Sequence, residues 1–181
     1  MFQHNDNITS NDHNSYQVWP DTKYRKSKIM TTVNIYLTFD GNCKEAFDFY
    51  KSVFGGDFQY VGTYGEMSPQ EDIPAVRDND RERIMHITLP ISNETMLMGN
   101  DHLESFGSPI IPGNNFTIAI KSDTKEEADK LFNTLSEGGL VTLQMKETFW
   151  GSYYGMITDK FGIRWKMNVD LNEKETSERK Q

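Results

Sequence analysis

The side chains able to do chemistry in this sequence are few. His86 stands in residues 83–89, RIMHITL, a strand-like run with Ile84 and Thr88 on its own face and Met85, Ile87 and Leu89 on the other. An imidazole there can act as a general base near neutral pH, hold a ligand by a hydrogen bond, or be a satisfied structural histidine. Glu147 is the second candidate acid or base. It precedes Phe149, Trp150, Tyr153 and Tyr154, the richest aromatic cluster in the chain, which with Tyr36 makes the candidate ligand-binding set. Trp and Tyr combine a wide apolar face with one polar donor, which suits a planar small ligand and equally suits core or dimer-interface packing. Gly151 and Gly155 among them point to a bulge or a close approach by another group. Cys43, the single cysteine, excludes an internal disulfide. Its place at a helix start can lower a thiol pKa, but no base neighbours it, and it reads as a buried small hydrophobe. His102, after Asp101, could join His86 in a metal pair, whereas His4 and His13 lie in a polar stretch.

The elements that must position these groups come as a repeat. Residues 33–56 (VNIYLTFDGNCKEAFDFYKSVFGG) alternate Val33, Ile35, Leu37 and Phe39 with polar neighbours, the period of a strand with one buried face. Asp40–Gly41–Asn42 is turn chemistry, with Asn42 or Asp40 available as a helix cap. Ala46, Phe47, Tyr50, Val53 and Phe54 then fall at helical spacing until Gly55–Gly56. About eighty residues later, residues 115–139 (NFTIAIKSDTKEEADKLFNTLSEGG) follow the same plan. Phe116, Ile118 and Ile120 alternate, Ser122 or Asp123 starts a helix, Ala128, Leu131, Phe132 and Leu135 form its stripe, and Gly138–Gly139 stop it. A strand–helix unit recurring at this distance signals a duplicated module.

Between and after these units lie a strand within 57–64, a long acidic loop over 65–81 of the kind that forms lids, and a hairpin of 83–89 with 94–98. A Pro/Gly/Ser linker spans 99–113. The second half continues with a strand over 140–146, the aromatic run over 148–158, a turn at 159–162 and a last strand over 163–169, with Trp165 packing and Arg164 at the surface or facing an anion. Residues 1–30 are polar and aperiodic and read as a disordered arm, with Met30 as a starting point for the folded unit. Residues 171–181 read as a frayed tail. The fold class is α+β, a domain over 31–170 built from paired βαβββ modules at about 31–100 and 114–170, whose strand edges must be covered within or between chains. The 181 residues carry a net charge of −8 and a pI near 5.0, which disfavours a nucleic-acid backbone or an anionic membrane as partner. With no apolar run near ~20 residues and one cysteine, the expected location is cytoplasmic.

The runs FDGNCKEAFDFYKSVFGG, IMHITL and GGLVTLQMKETFWGSYYGMITDKFGIRW together resemble the PhnB-like proteins of the glyoxalase/bleomycin-resistance/dihydroxybiphenyl-dioxygenase group, the vicinal-oxygen-chelate superfamily, over about residues 31–170. The resemblance implies βαβββ modules curling into a cup-shaped sheet around a cleft, and activities ranging from lyases, isomerases and dioxygenases to drug sequestration. Some PhnB-like proteins bear the name of a demethylubiquinone methyltransferase, but no Gly-rich nucleotide-binding loop opens a βαβ unit in this chain. The superfamily's divalent metal is held by His, Gln and Glu on first and last strands; at those positions stand Asn34, Asn115, Met98 or Gly99, and Lys166. The expectation is a homodimeric, cofactor-free protein binding a small apolar or partly aromatic molecule. The alternatives are a metal-free enzyme using His86 or Glu147, and a lyase, isomerase or dioxygenase with rearranged metal ligands.

Overall fold

A computed structural model describes residues 32–68, 71 and 74–171; the expected arm and all but the first residue of the expected tail lie outside the described residues. The first module runs β1 (Ile35–Phe39), α1 (Cys43–Phe54), β2 (Tyr60–Thr63), β3 (Ile84–Pro90) and β4 (Met96–Asp101). The second runs β5 (Ile118–Lys121), α2 (Lys125–Ser136), β6 (Leu140–Glu147), β7 (Ser152–Thr158) and β8 (Arg164–Asp170). Each makes one four-stranded mixed sheet, ordered β1-β4-β3-β2 and β5-β8-β7-β6. In each, the strand before the helix pairs parallel with the last strand, and the other pairs are antiparallel. This is the expected α+β repeat of βαβββ modules. Among the described residues no helix is long and apolar enough to cross a membrane.

The alternation in β1 sends Leu37 and Phe39 to the core and leaves Tyr36 and Thr38 on the opposite face. Helix α1 answers with Cys43, Ala46, Phe47 and Tyr50, all fully buried, and α2 with Ala128, Phe132 and Leu135. Both sheets turn their helix-bearing faces to one shared cluster, in which Ile87, Leu89 and Leu97 meet Ile157, Trp165 and Met167. Tyr50 is the joint. Its ring lies 5.6 Å from Trp165, and its hydroxyl donates to Asp159 Oδ2 at 2.9 Å. Asp159, 3% exposed, accepts three more bonds, from Trp165 Nε1 at 2.8 Å and from the Phe161 and Ile163 amides at 2.9 Å. A buried carboxylate satisfied in this way binds the second module's turn to the first module's helix.

Several local expectations change. Strand β5 begins at Ile118, and Phe116 lies before it, 60% exposed. Helix α2 starts after Thr124, whose hydroxyl accepts from the Glu127 amide, and not after Ser122 or Asp123. Neither Asp40 nor Asn42 caps α1; the cap is Asp101, reaching across from β4. A register shift at Gly62/Thr63 moves Ile84 out of phase, so it joins Ile87 and Leu89 in the core and does not share the face of His86. Phe149 and Trp150 precede β7, in a turn that Gly151 closes with a φ of 84°. The 65–81 loop is pinned at its ends, where the Tyr64 and Gly65 amides donate to the Arg83 and Arg81 carbonyls.

Candidate functional site

The outward face of the first sheet gathers Tyr36, Tyr60, His86 and Thr88. Tyr36 Oη lies 3.3 Å from His86 Nδ1 and Thr88 Oγ1 lies 3.0 Å from His86 Nε2, contacts in which either hydroxyl can donate. The imidazole stacks on Tyr36 at 5.7 Å and leans on Tyr60 at 5.8 Å. Both ring nitrogens are therefore taken. The arrangement holds the imidazole in one plane and lets it act as a base only by giving up a hydroxyl. Burial pushes the Tyr36 hydroxyl above its ordinary value of 10.0, with smaller help from Tyr64 and Cys43, so it remains a protonated group at neutral pH. Tyr36 and Tyr60 are 49% and 47% exposed, a half-open aromatic pair with the imidazole between them.

The second sheet offers a different surface. On its outward face Tyr154 stands opposite Asn168 in the β7–β8 ladder, and Trp150 packs edge-on to Tyr154 at 6.3 Å. Phe149, 96% exposed, meets Trp150 at 4.7 Å. Asn168 is 5% exposed, and its Nδ2 has no partner among the described residues. Burial raises the Tyr154 hydroxyl above its ordinary range. Tyr153 points the other way, donating to Asp129 Oδ1 at 2.8 Å with Lys125 5.2 Å over its ring. That hydrogen bond to Asp129 is the main reason its hydroxyl is raised. Glu147 belongs with it, since Lys125 Nζ sits 2.6 Å from its carboxylate.

The expected site residues thus divide. Tyr36 and His86 come together on one face, Trp150 and Tyr154 on another, and Glu147 and Tyr153 form a latch against α2. Tyr60, Thr88 and Asn168 were missed. Asn168 was legible in part, because it falls out of phase with the core-facing Trp165, Met167 and Val169.

The superfamily's metal positions can be tested on their donors. The Asn34 Oδ1 accepts from the Met96 amide at 3.1 Å, so its carbonyl is already used. Asn115 is an exposed loop residue, and Lys166 sits in β8 opposite Met156. Gly99 has no side chain, and a Cβ there would meet Phe47 at 2.7 Å. An amide, a thioether and an ammonium do not fit a divalent cation. Among the described residues no group of three His, Cys, Asp or Glu residues could hold a metal, His86 and His102 included.

A pair of βαβββ modules, each with one helix on one face of a four-stranded mixed sheet, defines a protein of the glyoxalase-like fold. A glyoxalase-related enzyme of Fulvimarina pelagi shares that fold at a TM-score of 0.52 and 16% identity, over 78% of this chain and 89% of its own. The family model described as 3-demethylubiquinone-9 3-methyltransferase matches residues 31–168, and the chain belongs to that family, the PhnB-like proteins. Protein YjdN of Escherichia coli is 30% identical over 139 residues, 74% of this chain and 92% of its own length. The crystal structure of PA1353 from Pseudomonas aeruginosa is 36% identical, with a TM-score of 0.67 over 77% of this chain and 98% of that one. A PhnB protein of Bacillus cereus, 21% identical, superposes with a TM-score of 0.60 over 77% of this chain and 99% of its own, and shares the fold.

Proposed function

We propose that this protein binds a small, planar, partly apolar molecule between two copies of the chain, without the superfamily metal. One observation carries the reading. The faces bearing the candidate residues lie opposite the shared core, so each is open: Tyr36 is 49% exposed and Trp150 42%. Aromatic surface left open in this way favours a partner. A second copy that laid its second-sheet face over the first-sheet face would enclose a cleft with Tyr36, Tyr60 and His86 on one wall and, on the other, Trp150, Tyr154 and Asn168, whose Nδ2 has no partner among the described residues. Rings would stack on the ligand and the amide would hold its polar atom. Methyl transfer is what the family description names; the two faces carry rings, an imidazole and an amide, the chemistry of a receptor.

The Tyr36–His86–Thr88 chain favours a second reading, acid–base catalysis by His86 on the enclosed ligand. Glu147 is less suited to that role, being paired with Lys125 on the α2 side. The test is light scattering over a dilution series together with a thermal-shift screen of planar aromatic compounds. A dimer at micromolar concentration is expected, with Trp150→Ala weakening both dimerisation and the thermal shift of any hit. A strict monomer would overturn the reading. Turnover of a hit that His86→Phe abolishes would favour the enzyme.

A further inference from the structure

We infer that the seam between the modules is a second ligand site, separate from the sheet faces, which takes an amphipathic carboxylate with one negative charge. A cavity of about 440 Å³ opens between the end of α1, the turn after β3, strand β5 and α2. That volume is in the range of small-molecule pockets. Half of its lining is apolar, with Ile35, Phe54, Ile91, Ile118, Ile120 and Leu131 supplied by both modules. These are helix-side residues of the two sheets and the helices themselves, so the cavity shares no wall with His86 or Tyr154.

The polar groups at this cavity are specific. Ser122 lines it, is 4% exposed, and its Oγ has no hydrogen-bond partner among the described residues. A buried hydroxyl left unpaired is unfavourable, and a ligand oxygen would satisfy it. Lys130, on α2 in the same lining, forms no ion pair with a described residue. Lys121 lines it too. An ammonium and a hydroxyl beside apolar side chains are what a carboxylate with a hydrocarbon body requires. Glu127 stands on the same rim and disfavours a dianion. One charge and an apolar chain or ring remain as the best match.

The experiment is calorimetric titration of the full chain with octanoate, beside octanol, which has the chain without the charge. One octanoate per chain is expected, bound at least about tenfold more tightly than octanol. Lys130→Met should bring octanoate down to the affinity of octanol. Ser122→Ala should weaken octanoate about threefold to tenfold while holding or raising the melting temperature, because it removes an unpaired buried group. Trp150→Ala should leave octanoate binding unchanged, which keeps this site distinct from the proposed cleft. Absence of saturable octanoate binding would overturn the inference. So would binding that Lys130→Met and Ser122→Ala leave intact, or binding that Trp150→Ala abolishes.

Discussion

The first amide of helix α1 donates to Asp101, 58 positions away at the end of β4; in α2 the Glu127 amide donates to Thr124, the residue just before the helix. The Asp101 carboxylate also accepts from the Ile84 amide at 2.8 Å, so one buried group ties α1, β3 and β4 together. The second module is held by other contacts. There α2 is held to its sheet by Phe132 and Leu135 inside and by the Tyr153–Asp129 and Lys125–Glu147 contacts nearer the surface. The same topology is thus braced from within in one copy and laced from outside in the other. Their outward faces differ in parallel, with an imidazole locked by two hydroxyls on the first and open rings beside the Asn168 side chain on the second. Duplication supplied two equal frames. What distinguishes the modules is a handful of polar side chains.

The sharpest way to break this comparison is at the joint. Asp159→Ala orphans Tyr50, Trp165 and two turn amides at once. We expect a loss of about 3–5 kcal/mol and a fall in melting temperature of about 10 °C or more, read by thermal and urea denaturation. Asp101→Ala removes two side-chain bonds and should cost visibly less. Equal losses would mean that the bracing of the first module matters as much as the seam.

Neither aspartate announces itself in the sequence. Asp159 looks like turn chemistry beside Lys160 and Gly162, and its decisive partner Tyr50 is 109 positions away. The repeat itself was legible because periods change abruptly near Asn42 and again near Ser122 and Asp123, and glycines follow both helices. The pairing of Tyr36 with His86 was not, since it depends on which strands become neighbours. The aromatic run misled in a physical way: a glycine turn at Gly151 cuts Phe149 and Trp150 off from β7, and strand alternation then sends Tyr153 and Tyr154 to opposite faces.

A second contrast concerns how closely each helix lies on its sheet. A Cβ on Gly99 would come within 2.7 Å of Phe47 and 2.8 Å of the Leu37 carbonyl. On Gly155 it would meet the Met145 sulfur at 2.5 Å and Phe132 at 2.9 Å. Backbone cannot yield, whereas a methionine end can. Gly99→Ala should therefore cost about 2–3 kcal/mol and Gly155→Ala about 1 kcal/mol, measured by urea unfolding. The reverse order would show that the second module is the tighter one.

Alkaline titration should sort the modules further. Burial, reinforced by Asp101, raises the Cys43 thiol well above its ordinary 9.0, and burial with Asp159 raises Tyr50 well above 10.0. Below pH 9 both states hold these protons and stability is flat. Above it the unfolded chain releases them first, so stability falls, by about 1.4 kcal/mol per pH unit for the thiol and more steeply once tyrosine follows. Both groups lie on α1; the matching positions of α2 are Lys125 and Phe132. Cys43→Ala should flatten the profile between pH 9 and 10. A profile that Cys43→Ala leaves unchanged would place the alkaline loss outside the first module.

The smallest effect tests the caps themselves. In α2 the Thr124 hydroxyl accepts from the Glu127 amide at 3.1 Å, so Thr124→Ala should cost about 1 kcal/mol, as helix caps commonly do. In α1 the side chain at the same position, Asn42, makes no capping bond: its ψ of 20° departs from the extended conformation that aims a cap at the second or third helical amide, and the Asp101 carboxylate serves the first, Cys43. Asn42→Ala should then change stability by no more than a few tenths of a kcal/mol. The pair is informative because asparagine is the better cap on intrinsic preference, and sequence alone would rank the losses the other way. Urea denaturation of the two variants side by side decides it. If Asn42→Ala matches or exceeds Thr124→Ala, then α1 is capped locally after all, and the internal brace that separates the modules is not the one drawn through Asp101.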